Sequence, residues 1–167
     1  MMETTSLPSH QYLERVEIPF EKAAFPTDTP KGAAQVAQAL GYRPRQMIKT
    51  LIFETDRGER ILVMVCGDQN IVSGNLKKVV GSRNIQLAST EVVKETTGYE
   101  IGSIPPFGWQ REGFRSFIDA SLMPEPILGV GTGVWGNEIL ITPINLVKAS
   151  KAQIVNLVER DKPALQA

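Results

Sequence analysis

Apolar positions recur along this chain at two spacings, and their alternation lays out the elements in order. Ser9 to Arg15 can form a short helix, followed by an extended piece from Val16 to Phe20. Thr29-Pro30 sets a capping hydroxyl before a proline at the first helical position. Ala33, Val36, Ala37 and Leu40 then recur at helical spacing until Gly41 stops the helix. Met47 to Glu54 is apolar on both faces, and so is Arg60 to Cys66. The Asp56-Arg57-Gly58 turn between them predicts an antiparallel hairpin in a sheet covered on both sides. A short helix is expected over Asn75 to Val80 and a short strand over Asn84 to Ala88. Ser89 or Thr90 caps the next helix, with Glu91 in its first turn and Gly98 at its end. Ser116 to Asp119, Ile127 to Val130 and Glu138 to Ile141 follow as strands. Thr142-Pro143 repeats the cap-and-proline signal for a helix through Lys148, and beyond Ser150 the pattern fits helix and strand alike. There is no repeat, low-complexity tract or internal linker. The elements predict one α/β domain of the α+β type over residues 9–167, a mixed and mostly antiparallel sheet flanked by helices, behind a disordered head over residues 1–8.

Composition narrows the chemistry. The 167 residues suffice for one substantial core, and 42% hydrophobic with 22% charged residues is the balance of a globular domain. Lys+Arg and Asp+Glu both number 18, so no net field draws the chain to nucleic acid or to an anionic membrane, and a nucleic-acid partner has to be recognised locally. No apolar run approaches the roughly 20 residues that span a bilayer. A single cysteine precludes an internal disulfide, and no signal-peptide pattern opens the chain. The expectation is a cytoplasmic protein with neither a membrane nor DNA as partner. His10 is the only histidine and lies in a polar head expected to be mobile, while Cys66 sits in an apolar run. A zinc site therefore lacks ligands, and a nucleophile–histidine pair lacks a firmly held base. Catalysis, if present, has to use positioning, backbone donors and a lysine, with no metal and no cofactor.

Three glycines and two adjacent prolines crowd the stretch from Thr97 to Gly108. Pro105 and Pro106 hold Ile104 and Pro105 extended, whereas Gly102 permits positive φ and close backbone approach to a ligand. Such a loop presents backbone N–H groups in a fixed direction, or it is simply a crossover between elements. Lys49 shares a strand face with Met47, Leu51 and Phe53, so its ammonium either snorkels to the strand's end or meets an anion. Asp119, at the end of a strand, suits a loop-stabilising carboxylate or a site residue. Gly131-Thr132-Gly133 resembles a phosphate cradle but matches no dinucleotide fingerprint. Lys77 and Lys78 fit a solvated helix face, with a local phosphate contact as the alternative.

Taken together, these residues make the chain similar to the YbaK/prolyl-tRNA synthetase-associated family of aminoacyl-tRNA editing domains. The likeness runs from about Phe20 to about Val158. It rests on Ala39-Leu40-Gly41, Ile48-Lys49-Thr50-Leu51, Leu76-Lys77-Lys78-Val79 and Thr97-Gly98-Tyr99, then on the Gly-x-x-x-Pro motif at Gly102 to Pro106, Ile118-Asp119 and the late glycine segment before Glu138. The resemblance implies a metal-independent hydrolase, free-standing and acting in trans, that removes a wrong small amino acid from tRNA, most typically tRNA for proline. It implies the aminoacyl-tRNA acceptor end as partner, with an aminoacyl-tRNA synthetase as a further one. By the same resemblance Lys49 and Gly102 are the catalytic pair. Lys49 contacts the terminal adenosine's phosphate region or otherwise anchors the substrate, and the Gly102 loop lies against the ester carbonyl. Thr50, Ser103, Ile104, Pro105, Pro106, Asp119, Gly131 and Gly133 are the expected substrate-binding residues. Two departures stand out: the Gly131–Gly136 segment lacks the basic residues often found there, and Glu138 occupies a position that is often Asp. A binding module without turnover, and a hydrolase of small nucleotide-linked esters, are the competing readings.

Overall fold

The predicted hairpin is the centre of the structure, a computed structural model that describes residues 6–159. Strands β2 (Ile48–Thr55) and β3 (Arg60–Cys66) pair antiparallel from Ile48↔Cys66 to Glu54↔Arg60. All six residues from Ile61 to Cys66 are fully buried, because both faces of the sheet are covered. Leu62, Met64 and Cys66 pack on one side with Ile52, Ile104 and Ile118; Ile61, Val63 and Val65 pack on the other with Leu76, Val80 and Phe117. Each such side chain contributes roughly 1.5–3 kcal/mol by leaving water. The sheet is completed by β4 (Ile85–Leu87), β5 (Ser116–Asp119) and β8 (Gln153–Val155) in the order β4-β2-β3-β5-β8, with β5 parallel to both of its neighbours.

A second, antiparallel sheet runs β1-β7-β6, from β1 (Glu21–Ala24), β7 (Asn137–Ile141) and β6 (Leu128–Gly131). An isolated parallel bridge between Met47 and Gly129 joins the two sheets. The expected sheet is thus two sheets, mixed and mostly antiparallel taken together, flanked by five helices: α1 (Pro8–Arg15), α2 (Ala33–Leu40), α3 (Ser73–Val80), α4 (Thr90–Thr97) and α5 (Pro143–Ser150). The Ser89 cap on α4, whose side chain accepts from the Val92 N–H, and the Thr142 cap on α5 fall where expected, as do the left-handed stops at Gly41 and Gly98.

Three local expectations need correction, and one left open is decided. The Thr29-Pro30 signal does not start α2. The Thr29 N–H turns back to the Pro26 carbonyl, and Gly32, at φ 130°, serves as the N-cap three residues later. The extended piece expected over Val16 to Phe20 lies further on, at Glu21–Ala24, where pairing with β7 defines it. Beyond Ser150 the chain forms β8. The polar head is docked: His10 is 1% exposed and stacks on Phe20, Ser9 Oγ donates to the Thr132 carbonyl at 2.7 Å, and Tyr12 stacks on Phe107. The expected disorder over residues 1–5 and the domain's last residues, 160–167, lie outside the described residues. Among the described residues no helix is long and apolar enough to cross a membrane.

Candidate active site

Strand β4 covers β2 only from Phe53 to Thr55, leaving the same edge open over Ile48 to Leu51. A pocket of about 220 Å³ occupies that gap. Its walls include Ile48 to Leu51 of β2, Ile101, Gly102 and Ile104 of the glycine–proline loop, Gly131 and Glu138 of the second sheet, Trp135 of the loop between β6 and β7, and Lys31 to Ala33 at the start of α2. Lys49, Thr50, Gly102, Ile104 and Gly131 are therefore brought together, from parts of the chain up to about eighty residues apart.

Lys49 is half-buried, and its ammonium donates to Asn70 Oδ1 at 3.3 Å. Among the described residues no carboxylate comes within 4 Å of it, so Asn70 is the one side-chain partner of the ammonium there. Gly102 is exposed at φ 99°, and a Cβ built on it meets nothing within 4 Å. Conformation, not crowding in the free protein, is what requires glycine there. Ser103 and Ile104 are 9% and 4% exposed, yet the N–H groups of Gly102, Ser103 and Ile104 donate to no acceptor among the described residues. In residues as buried as Ser103 and Ile104, backbone N–H groups are rarely left unpaired.

The two glycine-rich segments are packed against each other. The Gly133 N–H donates to the Ser103 carbonyl at 2.6 Å, and a Cβ on Gly131 would stand 2.7 Å from the Ser103 carbonyl carbon and oxygen. The Thr132 hydroxyl shares its one hydrogen between the Val134 and Asn137 carbonyls and accepts from the Val134 N–H. These bonds leave the segment little resemblance to an open phosphate cradle. Gly133 does not reach the pocket wall. Ser103, Pro105 and Pro106 do not line it either; the carbonyls of Pro105 and Pro106 are taken by Trp109 Nε1 and Gln110 Nε2.

Asp119 is placed apart from the others. It is 2% exposed and lines a separate pocket with Arg45, Gln69 and Ser121. One of its oxygens accepts from the Leu157 and Val158 N–H groups at 2.6 and 3.2 Å, and the other from the Ser121 N–H and hydroxyl. These bonds tie β5 to the segment after β8. Cys66 is buried, and that burial pushes its thiol pKa up, away from nucleophilic use. No group of three His, Cys, Asp or Glu that could hold a metal occurs among the described residues.

Three lining residues have no role that the sequence alone assigns. Lys31 lies 3.8 Å over the Trp135 ring, which in turn meets Phe25 edge-on at 4.8 Å; Trp135 Nε1 donates to the Thr27 carbonyl. No spacing rule links Lys31 to Trp135, because a turn and a loop bring them together. Glu138 is 8% exposed, and burial alone pushes its carboxyl up to about 8. Its signal was in the sequence: it alternates with Leu140 on the β7 face that packs on Met47 and Val36.

Known proteins resemble this chain in both sequence and backbone. A family model for the aminoacyl-tRNA editing domain matches residues 27–149. The chain is 37% identical over 91 residues to a proline–tRNA ligase of Maridesulfovibrio salexigens, covering 54% of this chain and 15% of the ligase. To the proline–tRNA ligase of Desulforamulus reducens it is 33% identical over 116 residues, covering 70% and 19%. The chain thus spans less than a fifth of the length of those ligases. Over 89% of this chain and 91% of the other, it is 20% identical to an Enterococcus faecalis protein described as "Putative Cys-tRNA(Pro)/Cys-tRNA(Cys) deacylase EbsC". Its backbone superposes with TM-score 0.81 and 25% identity on "Crystal structure of a putative trans-editing enzyme for prolyl tRNA synthetase", covering 94% of this chain and all of that one. The order of the motifs, the fold they build and the matched residues agree: the chain belongs to the aminoacyl-tRNA editing domain family.

Proposed function

We propose that this chain is a trans-acting aminoacyl-tRNA deacylase that hydrolyses the ester of mischarged tRNA in the cytoplasm, with tRNA for proline carrying a wrong small amino acid as its main substrate. The observation that carries this reading is the pair of N–H groups at Gly102 and Ile104, undonated among the described residues, in a loop that shares a pocket with Lys49. An aminoacyl ester is already activated, so no strong base has to be generated. Holding the ester and a water in attack geometry supplies several kcal/mol, and each well-aimed donor to the developing oxyanion about 3–4 kcal/mol more. Lys49 anchors the phosphate region of the terminal adenosine. Lys31 and the Trp135 ring offer a cationic and aromatic rim where its base can rest. No metal or cofactor enters this scheme.

Selectivity comes from size. A pocket of about 220 Å³ that includes Val36, Met47 and Ile48 among its walls excludes large side chains sterically. Amino acids that differ by a methylene are separated by only about 1–3 kcal/mol, so several small residues should be accepted. The ligase relatives and the solved trans-editing structure support action beside prolyl-tRNA synthetase on the acceptor end. Incubating the purified chain with tRNA for proline charged with Ala, Cys or Ser tests the reading. At least one ester should be hydrolysed, and Lys49→Ala should abolish turnover while leaving the thermal unfolding midpoint unchanged. Tight binding of aminoacyl-tRNA without turnover would make the chain a binding module instead.

A further inference from the structure

We propose that Glu138 is the receptor for the α-ammonium group of the esterified amino acid, so that the chain acts on aminoacyl esters with a free α-amino group and leaves N-acylated ones intact. This rests on the deacylase reading and adds which chemical end of the substrate enters the second sheet's side of the pocket.

Two buried acids in this chain make the contrast. Asp119 is saturated: backbone N–H groups and a hydroxyl fill both its oxygens. Glu138 is also buried, at 8% exposure against 2% for Asp119, but among the described residues its carboxyl accepts no hydrogen bond and meets no cation within 4 Å. A carboxyl that stabilised the fold would have donors, as Asp119 does. One that lines a pocket without them awaits a donor from outside.

Space has also been kept for it. The facing positions on the neighbouring strands are Ala23 and Gly131, and a Cβ on Gly129 would come 3.2 Å from Glu138 Oε2. Lys49 and Lys31 line the same pocket, yet neither forms an ion pair with Glu138, so its charges are held apart. That pattern complements a ligand with an anion at one end and a cation at the other. In an aminoacyl nucleotide the anion is the phosphate, and the one cation common to every amino acid is the α-ammonium. An empty pocket keeps Glu138 protonated because desolvation raises its pKa to about 8. Arrival of the ammonium makes the ionised form favourable, the carboxyl proton passes to water, and no bond of the substrate changes.

The test compares alanyl-tRNA with N-acetyl-alanyl-tRNA, both on tRNA for proline, as substrates of wild type and Glu138→Gln. Losing a hydrogen bond to a charged group is worth roughly 10- to 100-fold. Wild type should therefore cleave the acetylated ester slower by at least about 10-fold in kcat/KM. Glu138→Gln should raise KM for the free ester by a similar factor and bring the two substrates to within a few fold, while remaining folded by thermal unfolding. Equal rates of wild type on both esters, or full discrimination kept by Glu138→Gln, would overturn the assignment. A binding measurement separates this from failure of the deacylase reading. A non-hydrolysable 3′-amide analogue of alanyl-adenosine should bind wild type more tightly with its α-amine free than acetylated, whether or not any tRNA is turned over. Equal affinity for the two analogues would refute the ammonium site on its own.

Discussion

Replacing Glu138 by Gln removes an ionisation while nearly preserving shape, and the structure fixes how stability should respond to pH. The carboxyl is pushed from its ordinary 4.5 up to about 8 by burial, with no neighbouring charge to offset it. Below about pH 4.5 the group is protonated in both folded and unfolded chains, so its titration leaves stability unaffected. As pH rises from there towards 8 the unfolded chain releases this proton and the folded chain keeps it, so stability is lost at about 1.36 kcal/mol per pH unit. Above about 8 both forms are ionised and the loss levels off, at roughly 5 kcal/mol; at neutral pH it has reached roughly 3 kcal/mol. Glu138→Gln escapes this loss, whereas the cost of burying its amide does not vary with pH. Urea unfolding of both proteins at about pH 5, 7 and 9 isolates the effect, since every other titrating group is common to the two. The stability of the variant relative to wild type should rise by roughly 4 kcal/mol across that range. A difference that stays flat from pH 5 to 9 would show that the carboxyl is not held in an apolar site, and the account of an unpartnered buried acid would fail with it.

The two pocket glycines should answer substitution differently. Gly102→Ala places a Cβ in open space but at φ 99°, so about 1–2 kcal/mol of backbone strain should appear in thermal unfolding, without a packing clash. Gly131→Ala drives a Cβ to 2.7 Å from the Ser103 backbone, which cannot yield as a flexible side chain would; about 1–3 kcal/mol of stability and most of the deacylase activity should be lost together. Asp119→Asn keeps the size but weakens the acceptors for the Ser121, Leu157 and Val158 N–H groups, costing about 1.5–3 kcal/mol in chemical unfolding. Because Asp119 is outside the Lys49 pocket, kcat per folded molecule should not change.

Much of this architecture was legible because the residues that build it obey one period at a time. The hairpin of β2 and β3 could be read from runs apolar on both faces, α4 from a cap, a first-turn residue and a stop within a few positions, and α5 from a cap and a proline. Elements defined by their partners could not be read so. Glu21–Ala24 has no alternation of its own and becomes β1 only by lying against β7, and Gln153–Val155 is too short to choose a period before β5 recruits it. At α2 a local signal misled, because Gly32 could take a φ closed to other residues and so relocate the helix start. The site divides in the same way. Lys49 and Gly102 were visible as local oddities, a lysine in an apolar strand and a glycine before two prolines. Lys31 was not, since its importance lies in standing over Trp135, more than a hundred positions away.

The late glycine segment changes most in meaning. Its spacing suggested a loop that offers N–H groups to a ligand, yet the Gly133 N–H donates to Ser103. The Ser103 carbonyl and the Ile104 N–H belong to the same planar trans peptide, so they point in opposite directions. By holding the carbonyl towards itself, Gly133 turns the Ile104 N–H away from the late segment, and among the described residues that N–H donates to no acceptor. Gly131 allows the approach by having no Cβ between it and the same peptide. The two glycine-rich stretches therefore play complementary parts. The first carries the donors, and the second sets the plane in which one of them lies. In the deacylase reading this matters because an oxyanion donor that is already oriented needs no reorganisation at the moment of reaction. The orientation here comes from a segment nearly thirty residues further along the chain. That is why the loop's own sequence, glycine and prolines included, left both a structural crossover and a catalytic loop open.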